Sequence, residues 1–273
     1  MRASFAVRSL APFTGRGKGE GRHAAGSLGL RVLLIVGGVL AALILLGTVG
    51  TVLAFPFGAA AACPACYGFE RLPGNIFIER AAPPEQRAQV AAVLEQARQR
   101  VAIFYGSTDT QPRILVCVNE DCYRRIRSAG SRGNALLDVA LQLSPRGIDP
   151  VIAAHELSHI ELHHRIGRIR HLMGVIPSWF DEGVAVVVSD DRRYLAPADA
   201  ADRCVVRSDE MLPTGLFEWR RELRRHDNGQ LYAKAACRVT DWMAKRDGAA
   251  AVMRLIASVA GGMSFAEAYA AER

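Results

Sequence analysis

Residues 32–55 read VLLIVGGVLAALILLGTVGTVLAF, 24 positions without a charged side chain. A helix rises about 1.5 Å per residue, so about 20 apolar residues cross a bilayer core. The run exceeds the roughly 7–15 apolar residues of a secretory signal, which favours an uncleaved anchor. After it the pattern becomes that of a folded domain. Residues 75–79 (NIFIE) alternate apolar and polar, as a half-buried strand does. Pro83-Pro84 opens a helical stretch that reaches Tyr105 and is ended by Gly106. Residues 113–118 (RILVCV) predict a second strand and 122–128 a short basic helix or turn. Residues 135–143 (ALLDVALQL) predict a third strand, with a composition that also suits a helix. Beyond Asp149 the period is helical: 150–165, 178–189, 214–225, 229–246, 249–260 and 264–272. Strands first and helices after predict an α+β domain, with a small antiparallel or mixed sheet and a helical C-terminal half behind one transmembrane helix.

Charge changes this picture in one place. The chain carries a net +7, but residues 1–31 hold Arg2, Arg8, Arg16, Lys18, Arg22 and Arg31 against Glu20 alone. The remaining domain is almost neutral, so nothing in it calls for nucleic acid. The next charge after Arg31 is Glu70. The positive-inside rule therefore puts the N-terminus in the cytoplasm and the rest of the chain in the periplasm or outside the cell. That compartment permits disulfides among the six cysteines. Spacing favours Cys117 with Cys122 and Cys204 with Cys237. The Cys63-Pro-Ala-Cys66 pair has no second pair to complete a zinc ribbon, so a structural disulfide is the preferred reading. The organisation read from sequence is a basic cytoplasmic tail (1–31), an anchor in the bilayer (32–55), a linker (56–74) and a domain (75–273).

The chemistry is concentrated at His155-Glu156-Leu157-Ser158-His159. Asp149 suits an N-cap and Pro150 the first helical position, so this HExxH sits within a helix. Positions i and i+4 share a face, and both imidazoles can reach one zinc ion. Glu156, one residue round, stands where a general base is needed beside the ion. His163 lies about 12 Å along the axis from His155, too far for the same ion, and reads as a surface or supporting residue. Leu162 and Arg165 stand where a metzincin needs Gly and His, which excludes that group. In PSWFDEGVA, Ser178 reads as the N-cap of the next helix and Asp181 as the acid closing a capping box. Glu182 is then free to be the third ligand, and Gly183 admits a close neighbouring helix. Trp179, Phe180, Val184 and Val187 read as core, and the arginines of 220–225 as a solvated face.

HELSH followed by Trp-x-x-Glu-Gly-x-Ala resembles the gluzincin metallopeptidases, particularly the bacterial families grouped as peptidase MA-like. The resemblance covers residues 110–273. It implies a zincin-like domain, Zn2+ held by His155, His159 and Glu182, and Glu156 as base and proton shuttle. It also implies an edge strand before the active helix that takes a peptide or protein substrate by β-addition, placed at 135–143. It further implies a donor to the oxyanion, for which Tyr232 ranks ahead of His226. Tyr232 equally fits a core stripe with Ala236, Val239 and Met243. One departure is that Val186 stands where a thermolysin-like pattern has an acid to orient a histidine, so that support must come from elsewhere. The expected activity is zinc-dependent peptide hydrolysis at a membrane. The alternative is an inactive, membrane-tethered zinc-containing binding or sensor domain.

Overall fold

The computed structural model describes residues 22–126, 130–225 and 228–271, and falls into two units, Met1–Ala54 and Phe55–Arg273. In the first unit, helix α1 runs over Arg22–Ala54. Its segment Val32–Ala54 has a mean hydropathy of 2.8 and buries none of its apolar surface. Among the described residues it is the helix long and apolar enough to cross a membrane. The helix ends at Ala54, one residue before the apolar run does, and much of the basic tail lies outside the described residues.

The second unit is mixed α/β and mostly helical, with one five-stranded sheet. Its strands are β1 (Phe69–Leu72), β2 (Ile76–Glu79), β3 (Arg113–Val116), β4 (Gly133–Leu136) and β5 (Ala140–Leu143). Their order is β1-β2-β3-β5-β4; β2, β3 and β5 run parallel, while β1 and β4 pair antiparallel at the two edges. Alternation along the strands divides the core. Ile114, Val116, Leu141 and Leu143 face the helices, whereas Leu115, Cys117 and Ala140 face a smaller cluster on the other side.

Two sequence expectations are corrected here. Residues 135–143 form a hairpin: Leu137 at φ 51° turns the chain between β4 and β5. The edge strand is therefore β4, and β5 lies inside the sheet. Residues 56–74 are no linker. They hold helix α2 (Pro56–Ala62), whose Phe57 and Ala60 are buried, and edge strand β1. Burial of these small and aromatic side chains against Leu115 and Tyr123 gives the segment a reason to be ordered.

The helices are α3 (Pro84–Tyr105), α4 (Glu120–Arg125), α5 (Pro150–Ile166), α6 (Arg168–Leu172), α7 (Ser178–Ser189), α8 (Leu216–Arg225), α9 (Asn228–Ala244), α10 (Ala249–Ala260) and α11 (Phe265–Ala271). The Asp149 carboxylate caps α5, accepting from Val151 and Ile152 N–H at 2.8 and 3.2 Å. A Cβ on Gly183 would stand 2.7 Å from the Ala235 carbonyl oxygen, so glycine is what lets α7 lie against α9. Trp179, Phe180 and Val184 are buried, Val187 packs beside them, and the arginines of α8 are exposed around buried Trp219. Three disulfides close the chain locally: Cys63–Cys66, Cys117–Cys122 and Cys204–Cys237.

Candidate metal centre

Helix α5 presents His155 and His159 on the face that α7 covers, and α7 delivers Glu182 from its first turns. His155 Nε2 lies 3.2 Å from His159 Nε2 and 3.2 Å from Glu182 Oε2; His159 Nε2 lies 3.5 Å from that same oxygen. Tetrahedral coordination at about 2.0–2.1 Å spaces neighbouring donors by roughly 3.3 Å. The three donor atoms already stand at that spacing, each on a side chain less than a fifth exposed. Two imidazoles and a carboxylate form a donor set that suits zinc and leaves a fourth position for water.

The charges around the triangle are coupled. Burial pushes the Glu182 carboxyl up, but hydrogen bonds to His155 and His159 outweigh it and bring it down to about 2. Burial likewise works against a charged His159, yet Asp181 and Glu182 hold its imidazolium well above the usual histidine range. Metal ligation requires a neutral imidazole, so these acids oppose it at His159 until the proton on Nε2 is lost.

Asp181 differs from its expected role. The N-cap of α7 is Pro177, no side chain caps the helix, and Ser178 N–H instead donates to the Thr214 carbonyl at 2.8 Å. With no box to close, the Asp181 carboxylate turns to α5. One oxygen is 2.6 Å from His159 Nδ1 and the other 2.9 Å from His163 Nε2. A proton on Nδ1 leaves the His159 Nε2 lone pair facing the triangle. This supplies the support that Val186, fully buried, does not. His163 is a buried supporting residue, with His171 of α6 at 3.5 Å between ring centroids. Burial, then His163, lowers the His171 pKa to about 4.

Glu156 lies beside the triangle and accepts a hydrogen bond from Ala135 N–H of β4. Burial raises its pKa, with His155 and His159 opposing and Glu182 adding to the rise. Gly133, at the start of β4, makes room for it. A Cβ there would fall 2.6 Å from Glu156 Cγ and 2.8 Å from Oε1. The edge strand and the candidate base are thus built against each other. Tyr232 of α9 reaches the same place, its ring centroid 6.2 Å from that of His155. The Glu182 charge, then burial, then Glu156 hold its phenol well above the ordinary tyrosine range, so it stays a neutral donor. His226 lies outside the described residues.

Sequence reasoning missed the pairing role of Asp181, the clearance at Gly133, His171, and Tyr194, which stacks on Tyr232 with centroids 5.1 Å apart. Only Asp181 carried a signal, as an acid adjacent to the ligand candidate. Fold and site together define a mixed α/β domain with a candidate two-histidine, one-carboxylate metal centre at a sheet edge. No protein-family model, curated protein or solved structure matches the chain.

Proposed function

We propose that this chain is a membrane-anchored zinc metallopeptidase of the gluzincin type, with its zincin-like catalytic domain outside the cytoplasm. The observation that carries the reading is the donor triangle of His155, His159 and Glu182 with Glu156 beside it against the edge strand. When bound, zinc supplies a Lewis acid that activates water and polarises the scissile carbonyl. The chain's own residues do the rest. Asp181 holds His159 in the tautomer that turns its lone pair inward. Glu156, whose pKa burial raises, takes the proton from the attacking water and passes it to the leaving amine. The Tyr232 phenol donates to the carbonyl oxygen as it gains negative charge. β4, at the edge of the sheet, lays the substrate backbone past Glu156. The basic N-terminal flank of α1 and the pairing of all six cysteines support an N-terminus in the cytoplasm and a domain in an oxidising compartment.

The test uses the full chain in detergent. Metal analysis should find one zinc per chain, lost or loosened in Glu182→Ala. Glu156→Gln should keep the zinc and lose cleavage of an unfolded protein substrate by about 1000-fold or more. A folded chain that takes up no zinc refutes the reading. Zinc bound with no cleavage by the wild-type chain would favour the tethered binding domain.

A further inference from the structure

An oxyanion donor has to stand within about 2.7–3.1 Å of its target, and a tyrosine has two rotatable bonds with which to miss. The surroundings of Tyr232 bear on this, an argument that rests on the peptidase reading above. Trp219 meets its ring edge-on with centroids 5.6 Å apart, and His155 does so at 6.2 Å. Tyr194 alone lies nearly parallel to it, at 5.1 Å and 22°.

Tyr194 belongs to residues 190–204, a segment without helix or strand that is nonetheless tied down along its length. Asp190, at φ 52°, reverses the chain after α7 and pairs with Arg203. The buried Asp191 carboxylate accepts from Arg193 N–H at 3.0 Å and pairs with the Arg193 guanidinium. Its carbonyl accepts from Tyr194 N–H at 3.0 Å, which fixes the turn that presents the Tyr194 ring. Leu195 is buried with Val186 of α7 and Ala236 of α9, and both tyrosines pack against that cluster. Leu195 also bridges Cys204, and Cys204 is joined to Cys237 of α9. Cys237 lies five residues past Tyr232, about 7.5 Å along the same helix. The segment thus leaves the helix of Glu182 and returns, covalently, to the helix of Tyr232.

We infer that residues 190–204 are a clamp on Tyr232, with Tyr194 as a positioning residue whose stacked ring aims the phenol at the edge of the donor triangle. The stacking is the active feature, so the Tyr194 hydroxyl is dispensable. The Cys204–Cys237 bond holds the clamp shut.

The experiment compares wild-type full chain with Tyr194→Phe, Tyr194→Ala and the double variant Cys204→Ser/Cys237→Ser. It reads kcat and KM, zinc content, and the 19F signal of 3-fluorotyrosine placed at position 232 in the metal-free chain. The clamp predicts that Tyr194→Ala lowers kcat about tenfold with KM nearly unchanged. Zinc content stays at the wild-type value, and the 19F line shifts or broadens. Tyr194→Phe should match wild type in every readout, and the cysteine variant should resemble Tyr194→Ala. A loss in Tyr194→Phe equal to that in Tyr194→Ala overturns the proposal in favour of a role for the hydroxyl itself. An unchanged 19F line in Tyr194→Ala, or a changed line with unchanged kcat, overturns it as well. If the wild-type chain binds zinc but cleaves nothing, the peptidase reading has failed, and the 19F line still decides whether the ring is held.

Discussion

Helix α5 carries histidines at both ends, and the two ends use them differently. At the N-terminal end, His155 and His159 point ring nitrogens at each other and at Glu182, with 3.2–3.5 Å between donor atoms. Three candidate donor atoms converge there, at the spacing that a single metal ion requires. At the C-terminal end, His163 has its two ring nitrogens near Asp181 and the Leu137 carbonyl, at 2.9 and 3.3 Å. His164 pairs with Asp138. The His164–Asp138 pair is the kind of contact that fixes an element in place, while His163 shares the Asp181 carboxylate with His159. His164 is thus a fastener, whereas His159, His163 and Asp181 form a second convergent donor set; what sets the first set apart is Glu156 beside it. Asp181 touches both ends.

The comparison breaks most sharply at Gly133. An added Cβ would stand 2.6 Å from Glu156 Cγ and 2.8 Å from Oε1, so the Glu156 side chain must shift. We expect Gly133→Ala to retain metal binding while kcat falls about 100-fold, because the candidate base is displaced by roughly an ångström. Steady-state kinetics beside metal analysis checks this. An unchanged kcat would count against Glu156 as the base.

Asp181→Asn comes next and probes the link between the ends. An amide still accepts from His159 but carries no charge and offers one acceptor oxygen where the carboxylate offers two. Zinc affinity should weaken about 10–100-fold. His163→Gln, which leaves the Asp181–His159 contact untouched, should change affinity by no more than about threefold. Competition against a chelator measures both. Equal losses would mean that the far end supports the metal as strongly as the near end does.

How much of this could be read along the chain follows from range. Residues 178–189 and 249–260 coincide with α7 and α10, and 150–165 falls one residue short of α5, because apolar period and local caps such as Asp149-Pro150 mark those helices. The pairing of His155 with His159 was legible for the same reason, because i, i+4 spacing is a local signal, whereas Glu182 was singled out through a capping box that the fold lacks. The sheet was harder. The β4–β5 turn runs through Leu137-Asp138-Val139, with no Gly, Pro or Asn to announce it, so a hairpin read as one strand. β1 is four residues long and gains its meaning only from pairing with β2. Gly133 and Tyr194 meet the site through tertiary packing, which no spacing in the sequence records. Asp181 was misread because a capping box and a histidine support look alike until the fold shows where the carboxylate points.

The smallest effect belongs to the fastening end alone. Asp138, in the β4–β5 turn, pairs with Arg168 of α6 and with His164, while its side chain is almost fully buried. Burial works against its charge, but the two partners outweigh burial and hold its pKa below the usual aspartate value. A depressed folded-state pKa stabilises the fold above the unfolded value, about 3.9, and that stabilisation is lost as pH falls through the lower folded value. Asp138→Asn should therefore melt a few degrees below wild type at pH 7. The gap should narrow as pH falls below about 3.9 and close only below the lower folded-state value, where the folded wild-type carboxylate is itself protonated. Zinc content should not change, because none of these partners reaches the donor triangle. Thermal melts over a series of pH values from 7 downward, with metal analysis at pH 7, decide it. A loss of zinc in Asp138→Asn would mean that the two ends of α5 are one cooperative site, and the distinction between ligand and fastener would fall.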